Sequence, residues 1–77
     1  MSVKVLFFAS LREQVGKGQA ILEYSTPITA LQVWQLTSGK DLMPNTVRVA
    51  INQSYSDANT GVQDGDEVAF FPPVTGG

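Results

Sequence analysis

The side chains that usually carry chemistry are missing from this sequence, which contains no cysteine and no histidine. Without them there is no thiolate nucleophile, no disulfide, no Ser-His or Cys-His arrangement, and no imidazole to act as general base or metal ligand. What remains is the end of the chain, Phe70-Phe71-Pro72-Pro73-Val74-Thr75-Gly76-Gly77. An apolar strand-like run gives way to two prolines, which cannot extend a sheet, and then to two residues without side chains. Glycine lacks a Cβ and can lie close against another surface. A terminal Gly-Gly can therefore enter a narrow channel and offer the Gly77 α-carboxylate to chemistry housed in another protein. The reactive group this composition allows is a terminus rather than a side chain.

Seventy-seven residues make one domain, 1–77, with 72–77 expected as a flexible tail. A chain of this size buries only about 60 % of its unfolded surface, so its core must be well packed. Five Lys/Arg against seven Asp/Glu, with no basic cluster, exclude a nucleic-acid binder, which needs concentrated positive charge. The apolar stretch at the start, Val5-Leu6-Phe7-Phe8-Ala9, is too short to span a membrane and lacks the basic flank of a signal peptide. A soluble, cytoplasmic domain without membrane attachment is expected.

Those bounds leave the question of what positions the tail. Val3 to Ala9 is rich in β-branched and aromatic residues and reads as a strand. Ser10 to Gly16 reads as a short helix, with Ser10 as its N-cap and Gly16 as its stop. Gln19 to Tyr24 reads as an edge strand, and Thr26-Pro27 as the start of the main helix, which carries Ile28, Leu31 and Trp34 at helical spacing and ends at Gly39. Val47 to Asn52 alternates clearly. The turn Gln63-Asp64-Gly65-Asp66 then feeds a last strand, Glu67 to Phe71. No assignment is made for the segment 38–46.

One helix across one face of a mixed sheet is the economical packing for this order. The apolar first and last strands pair in the middle, parallel to each other. This is an α+β, β-grasp (ubiquitin-like) layout with a mixed sheet of four to five strands. Alternation then divides each strand. Val3, Val5, Phe7, Val47, Val49, Ile51, Val68 and Phe70 face the helix. Lys4, Leu6, Phe8, Arg48, Ala50, Glu67, Ala69 and Phe71 face outward. Phe8 and Phe71 fall at the end where the tail leaves, beside Leu6, as an apolar contact patch.

With those residues placed, Lys4-Val5-Leu6-Phe7-Phe8-Ala9 followed by Leu11-Arg12-Glu13 resembles the opening of the MoaD family, the small subunit of molybdopterin synthase. The run from Asp64 to Gly77 is similar to that family's C-terminal signature, and Val49 to Gln53 adds to the match. The resemblance implies a sulfur carrier that is not itself an enzyme and binds no cofactor or metal of its own. A MoeB-type partner would use ATP and magnesium to adenylate Gly77. A sulfur-donor protein would replace AMP to leave a thiocarboxylate. A MoaE-type large subunit would take the tail, in an assembly of two plus two, and pass the sulfur to cyclic pyranopterin monophosphate.

By position, the resemblance assigns Phe8, Phe71 and Tyr55 to contact with the large subunit and Arg12 to contact with the activating enzyme. Pro72, Pro73, Val74 and Thr75 belong to the inserted tail, with Gly76 and Gly77 as its reactive end. Two alternatives share the same tail: a ThiS-type carrier for thiamine biosynthesis, and a protein modifier joined through Gly77 to lysines.

Overall fold

The computed structural model describes residues 1–73; Val74, Thr75, Gly76 and Gly77 lie outside them. Strand β1 (Ser2–Phe7) is followed by helix α1 (Ser10–Val15), β2 (Gln19–Glu23), α2 (Ala30–Ser38), β3 (Arg48–Ile51), β4 (Ser54–Ser56) and β5 (Glu67–Phe71). The strands form one mixed sheet in the order β2-β1-β5-β3-β4. β1 and β5 are the parallel central pair, with Val5 beside Val68 and Phe7 beside Phe70. The expected parity holds: Val3, Val5, Phe7, Val49, Val68 and Phe70 are buried in one core with Val33 and Trp34 of α2. Its centre is aromatic. Phe7 stacks on Phe70 at 5.7 Å, and Trp34 meets both rings edge-on at 6.1 and 5.2 Å.

Three local expectations are corrected. Ser10 is the first residue of α1 rather than its cap, and the cap position is Ala9, with no side-chain bond. Ala9 adopts φ 54°, ψ −131°, a conformation natural to glycine that costs another residue on the order of 1–3 kcal/mol. That bend lets the Leu11 N–H donate to the Phe8 carbonyl (3.1 Å) and turns the chain sharply out of β1.

The main helix begins at Ala30, not at Thr26-Pro27. Thr29 is the cap in a reciprocal box: the Gln32 N–H donates to its hydroxyl (3.3 Å) and its own N–H donates to the Gln32 side chain (2.9 Å). The start is delayed because Thr29 bridges Gly61, and the Val62 N–H donates to the Ile28 carbonyl (3.0 Å). Ala30 and Leu31 then donate to the carbonyls of Thr60 and Ala58, so the loop satisfies the first free donors of the helix. The face that α2 buries is Ala30, Val33, Trp34 and Thr37, and Leu31 is only half-buried.

Strand β4 is the third correction, since the sequence pattern assigns no strand between Asn52 and the Gln63–Asp66 turn. Asn52 and Gln53 have φ 52° and 69°, the left-handed pair of a two-residue hairpin turn, with Ile51 opposite Ser54. Asn52 is held there by its side chain, which accepts from the Glu67 N–H (3.0 Å) and donates to Asp66 Oδ1 (2.9 Å).

The segment after α2 is tied back to it. Trp34 Nε1 donates to the Leu42 carbonyl (3.1 Å) and Gln35 Nε2 to the Asp41 carbonyl (2.8 Å), while Met43 packs on the core.

The Asp64-Gly65-Asp66 turn is structural. Asp64 Oδ1 accepts from the Ser2 N–H (2.8 Å), and the Gly65 N–H donates to the Ser2 carbonyl (2.8 Å), with Gly65 at φ 86°. Asp66 accepts from Gln63 N–H (2.8 Å) and from Asn52, and its carbonyl accepts from Lys4 N–H. One turn therefore pins the start of β1, the end of β3 and the start of β5. Asp66→Ala is expected to lower unfolding free energy by about 1.5–3 kcal/mol, the scale of a hydrogen bond to a charged group, measured by urea denaturation.

At the same end, the Tyr24 hydroxyl is sheltered from solvent and has no hydrogen-bond partner among the described residues. Its pKa is raised, first by desolvation and then by the negative charges of Asp64 and Asp66. A folded-state value above the unfolded one means the native protein holds the proton longer, so this contribution is present below pH 10 and is lost as pH rises above it. Tyr24→Phe is expected to leave stability at neutral pH undiminished and to flatten the decline above pH 10, read from urea midpoints across an alkaline series.

Candidate docking face and carrier terminus

The helix covers one face of the sheet and leaves the other open, and the strand registers order that open face into rows. The middle row crosses all five strands: Gln19, Leu6, Ala69, Ala50 and Tyr55. On the side away from the tail, Ile21, Lys4 and Glu67 form the next row. On the tail side, Phe71 pairs with Arg48. The Phe8 N–H donates to the Phe70 carbonyl (3.0 Å), which sets Phe8 beside Phe71, one step beyond the Phe7–Phe70 pair.

The bulky members stand clear of a floor of small ones. Phe8 is 49 % exposed and Tyr55 81 %, whereas Ala50 is buried at 9 %. Tyr55 leans on Phe71 with ring centroids 5.9 Å apart, which explains why Phe71 is half-buried on an open face. The hairpin thus brings Tyr55 to the open face beside Phe71 as a strand residue.

Arg12 reaches the same end from α1. Its guanidinium lies against Gly18, where a Cβ would come within 2.9 Å of Nε and Cζ, so a side chain at that position would push it aside. Together with Leu6, Phe8 and Gln19, these residues line a shallow pocket of about 540 Å³. The face therefore has an aromatic and aliphatic floor with Arg12 at one rim and Arg48 at the other. A sequence pattern gives no sign of the Arg12–Gly18 contact.

Pro72 and Pro73 follow Phe71 directly and are half-buried. The expectations for Val74, Thr75, Gly76 and Gly77 fall outside the described residues. Ile21, 68 % exposed on β2, was missed, although the alternation of Gln19 to Glu23 marks it as outward. Among the described residues, no group of three or more acidic, histidine or cysteine side chains could hold a metal ion. No helix among them is long and apolar enough to cross a membrane.

A parallel central pair flanked by antiparallel strands, with one helix across a single face, defines a ubiquitin-like β-grasp protein with one open sheet face. The chain belongs to the ThiS family, whose model matches residues 5–77. It is 38 % identical over 80 residues to the molybdopterin synthase sulfur carrier subunit of Escherichia coli (strain K12), covering 97 % of this chain and 99 % of that protein. Among solved structures, SAMP1 from Haloferax volcanii superposes with a TM-score of 0.81 at 24 % identity, covering all of both chains. A chain from the complex of subunits 1 and 2 of molybdopterin-converting factor from Helicobacter pylori 26695 matches with a TM-score of 0.68 at 23 % identity, again over both full lengths. At those identities the two structures speak to the fold.

Proposed function

We propose that this chain is the sulfur carrier subunit of a molybdopterin synthase. The observation that carries the reading is 38 % identity over nearly the whole length of a relative bearing that name, beside a family model that matches this chain through Gly77. In this role the chain supplies no catalytic side chain. A carboxylate is a poor electrophile, so a MoeB-type enzyme first joins Gly77 to AMP, releasing pyrophosphate from ATP with magnesium. Persulfide sulfur from a donor protein then attacks the acyl carbon and displaces AMP, giving an acyl disulfide. A second thiol of the partner proteins cleaves its S–S bond, leaving the thiocarboxylate on Gly77 and a disulfide on the partners.

The open face and the tail divide the remaining work. Phe8, Phe71 and Tyr55 dock on a MoaE-type large subunit, and Arg12 steers the activating enzyme from the rim. Pro72 to Thr75 lead Gly76 and Gly77 into the large subunit's active site, where sulfur passes to cyclic pyranopterin monophosphate. Two copies of each subunit make the assembly, in the cytoplasm. The Helicobacter pylori complex, a fold relative joined to a second subunit, supports a partner of this kind.

The test is reconstitution. The chain, activated with a MoeB-type enzyme, ATP and sulfide, is added to a large subunit and the pyranopterin precursor, and molybdopterin is measured. Product formation is expected. A ladder of protein conjugates without product would favour the modifier reading, and sulfur delivery only to a thiazole synthase would favour the thiamine one.

A further inference from the structure

The sheet has two outer strands, and they are unlike. β4 is only three residues long, whereas β2 runs five residues in unbroken register against β1, from Ser2 opposite Glu23 to Leu6 opposite Gln19. Natural edges are blunted by shortness, bulges, proline or charged side chains, lysine above all. Within Gln19–Glu23 β2 has no proline, bulge or lysine, its one charge is Glu23 at the strand end, and its central outward residue, Ile21, is 68 % exposed.

The hydrogen bonds say which backbone groups are free. The Phe7 N–H donates to the Gly18 carbonyl (3.0 Å) and the Tyr24 N–H to the Met1 carbonyl (2.8 Å). In an antiparallel ladder the residues bonded to one neighbour alternate with those aimed away from it. The even-numbered positions of β2 therefore face β1, and the N–H and C=O groups of Gln19, Ile21 and Glu23 face outward. Among the described residues nothing pairs with them.

This edge is complementary to itself. A two-fold axis through Ile21, perpendicular to the sheet, sets Ile21 opposite Ile21 of a second copy and Gln19 opposite Glu23. Each pair exchanges two backbone hydrogen bonds. The exposed isoleucines cover each other, and the carboxylate of Glu23 meets an amide donor instead of a like charge, which directly opposed strands disfavour. A closed two-fold pairing of this kind uses the same patch on both copies.

We propose that β2 is a self-association edge through which two copies join their sheets into one. Antiparallel pairing keeps both open faces on one side and sends the two Phe8–Phe71 ends to opposite ends of the joined sheet. The docking patch therefore stays uncovered, and the inference stands apart from the proposed carrier role. One short strand pair buries little surface, so the dimer is weak.

The measurement is sedimentation equilibrium with amide hydrogen exchange on the whole chain. The expected result is monomer at about 10 µM and substantial dimer at about 1 mM, the range of an association worth only about 4 kcal/mol. Over the same range, exchange at Gln19, Ile21 and Glu23 slows about twofold, because about half of the chains are paired at that affinity. Ile21→Pro removes an N–H that β1 does not use and that an edge strand can spare, and it is expected to keep the protein monomeric throughout. Ile21→Lys, which places a charge opposite its own copy, is expected to do the same. A chain that stays monomeric at 1 mM would overturn the proposal. So would a dimer that both variants leave intact, or one that protects other amides, because another surface or a different strand would then be the contact.

Discussion

Phe71→Ala is expected to weaken docking to the large subunit by about 2 kcal/mol or more, the scale of an aromatic interface anchor, while the fold survives. Phe70→Ala, one residue earlier, is expected to do the reverse. Phe70 is fully buried between Phe7 and Trp34, and truncating such a ring costs about 3–5 kcal/mol. A chain of this length holds only about 4–12 kcal/mol in total, so that variant loses much of its stability. Phe71 points to the open face, paired with Arg48 and leaning on Tyr55, and its removal leaves the core packing untouched. Titration calorimetry with the large subunit and urea denaturation of each variant separate the two effects. Equal destabilisation by both substitutions would contradict the assignment of faces.

Deletion of Gly77 is expected to have the largest functional effect of any single change. The chain has no cysteine and no histidine, so no side chain can take over a lost reactive terminus. Moving the carboxylate back to Gly76 shortens the reach by one residue, about 3.3–3.6 Å of extended chain, and a misplacement of about 1 Å already costs on the order of 100-fold in a positioned reaction. Sulfur transfer should therefore fall to background, while large-subunit affinity, which the proposed docking assigns mainly to Phe8, Phe71 and Tyr55, is expected to change little. A single-turnover assay of molybdopterin formation measures the first, and calorimetry the second.

What the sequence made legible follows from where the physics is local. Val3, Val5 and Phe7 alternate cleanly, as do Val68 and Phe70, and their apolar weight required a central parallel pair, which the register confirms. Gly39 and Gly65 mark a helix stop and a turn, and both take positive φ. Asn52-Gln53 gives no such mark, because the turn lacks glycine and is held by Asp66 of the turn preceding β5 and by Glu67 of β5; β4, which depends on it, carries no local signal either. The start of α2 was hidden for the same reason, since the loop Ala58–Val62 occupies Ile28 and Thr29. Phe8 and Phe71 were legible by parity alone. That Arg12 joins them depends on the bare backbone of Gly18, a contact between elements that no local pattern encodes.

The carrier role rests on chemistry at one atom group, the Gly77 carboxylate. Its most direct test is the intact mass of the chain after incubation with a MoeB-type enzyme, ATP, magnesium and sulfide. The account predicts that one oxygen is replaced by one sulfur, with fragmentation placing the change on Gly77. A chain that emerges with its mass unchanged, or modified anywhere else, would contradict it.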